Sequence, residues 1–174
     1  MKRDFASLTA QEALHVAIFV EERNAEAYHR FAELFSGFHD TASLEVATAF
    51  WDMAAEERSH GTLLQARYFE RYGTSPCSMT EEDVADFIEV PRLEGGDLFE
   101  TETGGRSPRE LALEIAATAE NNALLFYKLL AETSVDAELR DFYREFVEFE
   151  SNHMSWLDHK LAEARQMQGG PKKG

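Results

Sequence analysis

Two short stretches of the chain, "EERSH" at 56–60 and "EFESNH" at 148–153, each hold a glutamate followed three positions later by a histidine: Glu57 with His60 and Glu150 with His153. On a helix, that spacing leaves the two side chains about 60° apart around the axis and about 4.5 Å apart along it. A carboxylate and an imidazole so placed can reach the same cation. One such pair on a charged helix reads as a solvated ion pair. Two pairs in matching surroundings need a stronger reading.

The surroundings do match. Steps of three and four, the spacing that keeps side chains on one bundle-facing stripe, give Phe50, Met53, Glu57, His60 and Leu64 in one segment and Tyr143, Phe146, Glu150, His153 and Leu157 in the other. The two seams coincide at an offset of 93 residues. A second pair of segments, "EERNAEAYHR" at 21–30 and "AENNALLFYK" at 119–128, aligns at an offset of 98 and pairs Glu22 with Glu120, Asn24 with Asn122, Ala25 with Ala123 and Tyr28 with Phe126. The first seam of that pair is then His15, Ile18, Glu22, Ala25, His29 and Ala32, and the second is Leu113, Ala116, Glu120, Ala123, Tyr127 and Leu130. Each segment is expected to send one glutamate inward.

Four glutamates and two histidines aimed into one interior cannot remain bare charges, because an isolated buried carboxylate costs several kcal/mol and like charges nearby add to that cost. Four carboxylates neutralise two divalent cations, and two neutral imidazoles add nitrogen ligands without charge. The site implied is binuclear, with one histidine on each metal. Glu57 and Glu150 are placed to bridge, and Glu22 and Glu120 to cap. Carboxylate-rich ligands of this kind suit iron or manganese, with zinc a further possibility.

The elements that must position these residues are four helices. Thr9 and Glu12 form a capping signal that starts the first, about 9–36; the turn "SGFHD" leads into the second, about 41–72, which stops at Gly73. Ser107, Pro108 and Glu110 open the third, about 107–132, and after the turn "TSVD" the fourth runs about 137–165. A connection over 73–106, with one short helical candidate at "MTEEDVADFI", joins the two hairpins, and a polar tail occupies 169–174. The fold class expected is all-α: one four-helix bundle over 1–168, built from two helical hairpins and a long crossover.

Composition narrows the function classes. A net charge of −16 repels nucleic acid and anionic lipid. No apolar run approaches the roughly 18 residues of a membrane span. The single cysteine, Cys77, makes no intrachain disulfide or thiolate metal site, and the stretch "MKRDFASLTAQEALH" has no apolar core of signal-peptide length, so a cytoplasmic location is expected.

One glutamate, one Glu-x-x-His, one glutamate and one Glu-x-x-His, in that order on four helices, resembles the ferritin-like di-iron carboxylate superfamily, and phrases such as "AAEERSH" and "AENNALLFYKLLAE" resemble its rubrerythrin-like branch. The resemblance covers about 9–72 and 107–165. It implies two iron ions held by Glu22, Glu57, His60, Glu120, Glu150 and His153, and an oxidoreductase that reduces peroxide or dioxygen with electrons from an external donor. The alternatives are an iron-handling protein that oxidises Fe(II) for storage in a large shell, and a non-enzymatic metal-binding bundle that docks a partner. Two departures from the branch stand out. The paired CxxC motifs of the rubredoxin-type domain are missing, and Ala123 occupies the position of an extra carboxylate one turn after Glu120, so poorer peroxide selectivity is expected. A homodimer or larger assembly is also expected. His15, His29, Tyr127 and Tyr143 read as core residues, and Glu21, Glu26, Glu56 and Glu148 as flanking charges.

Overall fold

The computed structural model describes residues 8–77 and 106–168. Four helices account for them: α1 (Ala10–Ser36), α2 (Thr41–Tyr72), α3 (Pro108–Thr133) and α4 (Ala137–Gln168). The described residues form no strand, and no helix among them is long and apolar enough to cross a membrane. The short helical candidate at 79–88, most of the 73–106 connection and the 169–174 tail lie outside the described residues.

Local chemistry sets the helix ends. The Thr9 hydroxyl accepts from the Glu12 amide at 3.2 Å and the Glu12 carboxylate accepts from the Thr9 amide at 2.8 Å, a closed capping box. Asp40 accepts from the Ser43 amide at 2.9 Å to start α2, and Gly73 ends it in the left-handed region at φ 66°, which carries little steric cost only for glycine. Ser107 caps α3 ahead of Pro108. Asp136 starts α4 by accepting from the amides of Glu138 (2.9 Å) and Leu139 (3.2 Å), and it also accepts from Arg71 Nη2 at 2.5 Å, which ties the end of α2 to the start of α4.

The helices pack as two hairpins, α1 on α2 and α3 on α4, with α1 also touching α3. Two apolar layers fill the bundle. One contains Leu14, Ala17, Leu64, Tyr127, Leu130, Tyr143 and Phe146, and the other Tyr28, Phe31, Phe50, Met53, Leu113, Ala116 and Leu157. The internal repeat exchanges the layers: Leu14 lies in one and its counterpart Leu113 in the other, as do Leu64 and Leu157, and Tyr143 and Phe50. Large rings such as Phe50 and Phe146 are fully enclosed in these layers at 0% exposure. Truncating one to alanine costs roughly 3–5 kcal/mol.

The repeat register in α1 differs from expectation by one residue. Helices α1 and α3 match at 99 rather than 98: Ala13 with Ala112, Leu14 with Leu113, Ala17 with Ala116, Glu21 with Glu120 and Tyr28 with Tyr127 are all buried pairs. The stripe facing the other helices therefore runs through Leu14, Ala17, Glu21, Asn24 and Tyr28. His15 and His29 are half-buried and Glu22 is exposed.

Candidate metal centre

Between the two apolar layers, each helix contributes acidic or imidazole groups to a buried cluster. Glu21 of α1, Glu57 of α2, Glu120 of α3 and Glu150 of α4 are each 0% exposed, and His60 and His153 are 7% and 6% exposed. Their ligand atoms form two overlapping sets. Glu21, Glu57, His60 and Glu150 offer atoms within 4.8 Å of one another, and so do Glu57, Glu120, Glu150 and His153. Glu57 and Glu150 belong to both.

Five of the six residues expected from sequence are in this cluster, and Glu22 is not. Its place is taken by Glu21, because Glu21 shares the buried stripe with Ala17 and Tyr28 whereas Glu22 turns outward. There the Glu22 carboxylate accepts from Gln65 Nε2 at 2.8 Å, beside a surface cleft lined also by His15, Phe19 and Cys77. Gly61 lies beneath Glu21, and a methyl group at its Cα would sit 3.6 Å from the Glu21 Cβ, an ordinary contact. The two hairpin helices thus approach closely where Glu21 enters the core. His15 bonds the Cys77 carbonyl and packs edge-on against Tyr68, while His29 packs edge-on against Trp51 with ring centroids 4.6 Å apart. Neither reaches the cluster.

Both imidazoles turn Nδ1 toward the carboxylates. His60 Nδ1 is 3.4 Å from Glu21 Oε2 and 3.8 Å from Glu57 Oε2. His153 Nδ1 is 2.9 Å from Glu57 Oε1 and 3.1 Å from Glu120 Oε2. Two tyrosines brace the cluster from the apolar layers: Tyr28 donates to Glu120, and Tyr127 donates to Glu21. Burial, and then the charge of the facing carboxylates, push both phenols well above their usual range, so both remain protonated donors. Tyr28 escaped the sequence reading because the offset of 98 paired it with Phe126. The signal that finds it is the identity of two seven-residue steps, Glu21 to Tyr28 and Glu120 to Tyr127.

The electrostatics describe a cluster that lacks positive charge. Burial, followed by the charge of Glu57, raises Glu21 well above the ordinary carboxyl range, and burial, followed by the charge of Glu120, does the same to Glu150. Burial also pushes Glu57 upward, but the close approach of Glu21, His153 and His60 outweighs it and holds that carboxyl at about 2. Burial pushes His153 down, and its bond to Glu120 and close approach to Glu57 overcome this and lift it to about 11. The upward shifts of Glu21, Glu150 and His153 all favour the protonated form, the direction expected where buried carboxylates lack an offsetting cation.

Hydrogen bonding leaves the cluster short of partners. Glu21 Oε2, both carboxylate oxygens of Glu57, both of Glu150 and His60 Nδ1 are buried and make no well-directed hydrogen bond. Unpaired buried polar atoms are rare in folded proteins and costly. Here they are concentrated on the residues whose donor chemistry, four carboxylates and two imidazoles, suits two divalent cations. The donor set fits such a pair: Glu21 and His60 toward one position, Glu120 and His153 toward the other, and Glu57 and Glu150 toward both.

The bundle is similar to the crystal structure of an uncharacterized conserved protein from Magnetospirillum magnetotacticum, with a TM-score of 0.69 and 23% identity over 90% of this chain and 96% of that one. That likeness shows the fold. No family model matches the chain, and no curated protein matches it.

Proposed function

We propose that this chain is a ferritin-like, non-haem di-iron protein of the rubrerythrin type, acting as an oxidoreductase on hydrogen peroxide or dioxygen. The observation that carries the proposal is the pair of overlapping ligand sets sharing Glu57 and Glu150, with their buried oxygens unpaired. Bound as two Fe(II) ions, the metal pair supplies two electrons, the number that reduces hydrogen peroxide to water when two protons are added.

The chain's own residues then have separable tasks. Glu57 and Glu150 span the two positions, and Glu21 and Glu120 close its two ends. Tyr127 and Tyr28 hold those end carboxylates by hydrogen bonds and fix which oxygen faces inward. The apolar layers above and below exclude bulk water, which strengthens every charge interaction between them. On this reading an external donor returns electrons to the site after each turnover.

The test is to load the metal-free chain with Fe(II) without oxygen and then mix it with peroxide or dioxygen. Oxidation that saturates at two irons per chain, and that repeats when a reductant is supplied, is the expected result. Uptake continuing far beyond two irons would support iron storage instead, and failure to retain or oxidise iron would overturn the reading.

A further inference from the structure

The two halves of the cluster are related by the repeat, but their outer surroundings are not alike. His153 Nε2, on the side of the ring away from Nδ1, is 2.8 Å from Glu56 Oε2. Glu56 lies on α2, one residue before Glu57. Adding the offset of 93 places Phe149 of α4 at the equivalent position, and Phe149 stacks on His60 with ring centroids 4.4 Å apart and planes 13° apart. A carboxylate serves one histidine where a phenyl ring serves the other.

We infer that Glu56 makes the two metal positions unequal, so that the position at His153 binds a divalent cation more tightly and fills before the position at His60. The inference rests on the metal reading above. An anionic acceptor at Nε2 holds the proton on that nitrogen, so that Nδ1, which faces Glu57 and Glu120, is the nitrogen that gives up its proton to a cation, and it makes the imidazole a more basic ligand. The Glu56 side chain is itself 61% exposed, so it supplies this charge while staying solvated. His60 is flanked on its ring face by Phe149 and edge-on by Phe146 at 5.6 Å, and neither ring can fix its tautomer. Glu56 is thus a positioning residue acting through His153.

Calorimetric titration of the metal-free chain with Co(II) tests this. Two resolved steps are expected, the first at least about tenfold tighter, since outer partners of ligating histidines are worth roughly 10–100-fold in affinity. His153→Ala should abolish the tight step and His60→Ala the weak one. Glu56→Gln should weaken the tight step by about 10–100-fold and leave the weak one in place, and Glu56→Asp should restore part of the loss. Phe149→Glu, which supplies the missing carboxylate, should bring the weak step up toward the tight one. Equal steps in the wild type, or a loss in Glu56→Gln shared by both steps, would overturn the inference and leave the binuclear reading standing. A folded chain that binds no Co(II) would overturn both.

Discussion

The Tyr28 hydroxyl donates across the bundle to the Glu120 carboxylate, and its repeat mate Tyr127 returns the same bond to Glu21. Each tyrosine stands seven residues after the glutamate of its own helix and serves the glutamate of the other. The pair therefore cross-links α1 and α3, one helix from each hairpin, at the level of the cluster. Tyr28→Phe keeps the ring in its apolar layer and leaves Glu120 short of a donor. The metal-free protein should lose about 1–3 kcal/mol, the cost of a buried polar group left unpaired, as measured by urea denaturation. Tyr127→Phe should do the same through Glu21, and an unchanged midpoint in both variants would show that these bonds do not matter.

Adjacent glutamates give a sharp contrast. Glu21→Gln removes a carboxylate that is fully buried in the cluster, whereas Glu22→Gln changes a solvent-facing group bonded to Gln65. Divalent-metal affinity should fall at least about tenfold in the first and stay within about threefold of wild type in the second, by the spread expected for ligand and surface changes. The reverse order would restore the register in which Glu22 faces inward.

Acid and alkali should act oppositely on the metal-free chain. Glu21 and Glu150 are raised above 4.5 and His153 is raised from 6.5 to about 11, so the folded state binds these protons more tightly than the unfolded state. Their stabilisation is complete below the unfolded values and is lost as pH climbs through the folded ones. Glu57, lowered from 4.5 to about 2, contributes above 4.5 and loses that contribution as pH falls toward 2. Stability of the metal-free chain should therefore decline from mildly acid to alkaline solution. Metal binding should release protons and tighten as pH rises, which is read from binding heats in buffers of different ionisation enthalpy. Proton uptake on binding would contradict this.

Much of the site was legible in α2 and α4, because a glutamate and a histidine locked at a three-residue spacing sit in seams whose flanking residues, Phe50 and Leu64 or Phe146 and Leu157, leave one face apolar. In α1 the reading slipped by one residue for two physical reasons. Val16, Ile18 and Val20 are buried alongside Leu14 and Ala17, so the apolar arc is too broad to choose between Glu21 and Glu22. The helix caps also mislead: Thr9 and Ser107 are 98 residues apart, while the buried faces of α1 and α3 match at 99. What decides the register is what lies opposite, the Tyr127 hydroxyl that donates to Glu21 and the His60 ring that faces it, and such tertiary neighbours are not written in a helical period. Glu56 is hidden for a related reason: in the helical period it falls beside the seam as a flanking charge, and only the packing of α2 on α4 brings it to His153.

Glu21, Glu57, His60, Glu120, Glu150 and His153 are expected to hold two metal ions together. The most direct measurement is metal content per chain after anaerobic loading with Fe(II) and removal of loosely held ions, in the wild type and in a Glu57→Gln, Glu150→Gln double variant shown by circular dichroism to be folded. Two irons per chain are expected in the wild type and a loss of both in the double variant, because these two carboxylates belong to both ligand sets. A wild type that retains no iron, or a double variant that still retains two, would contradict it.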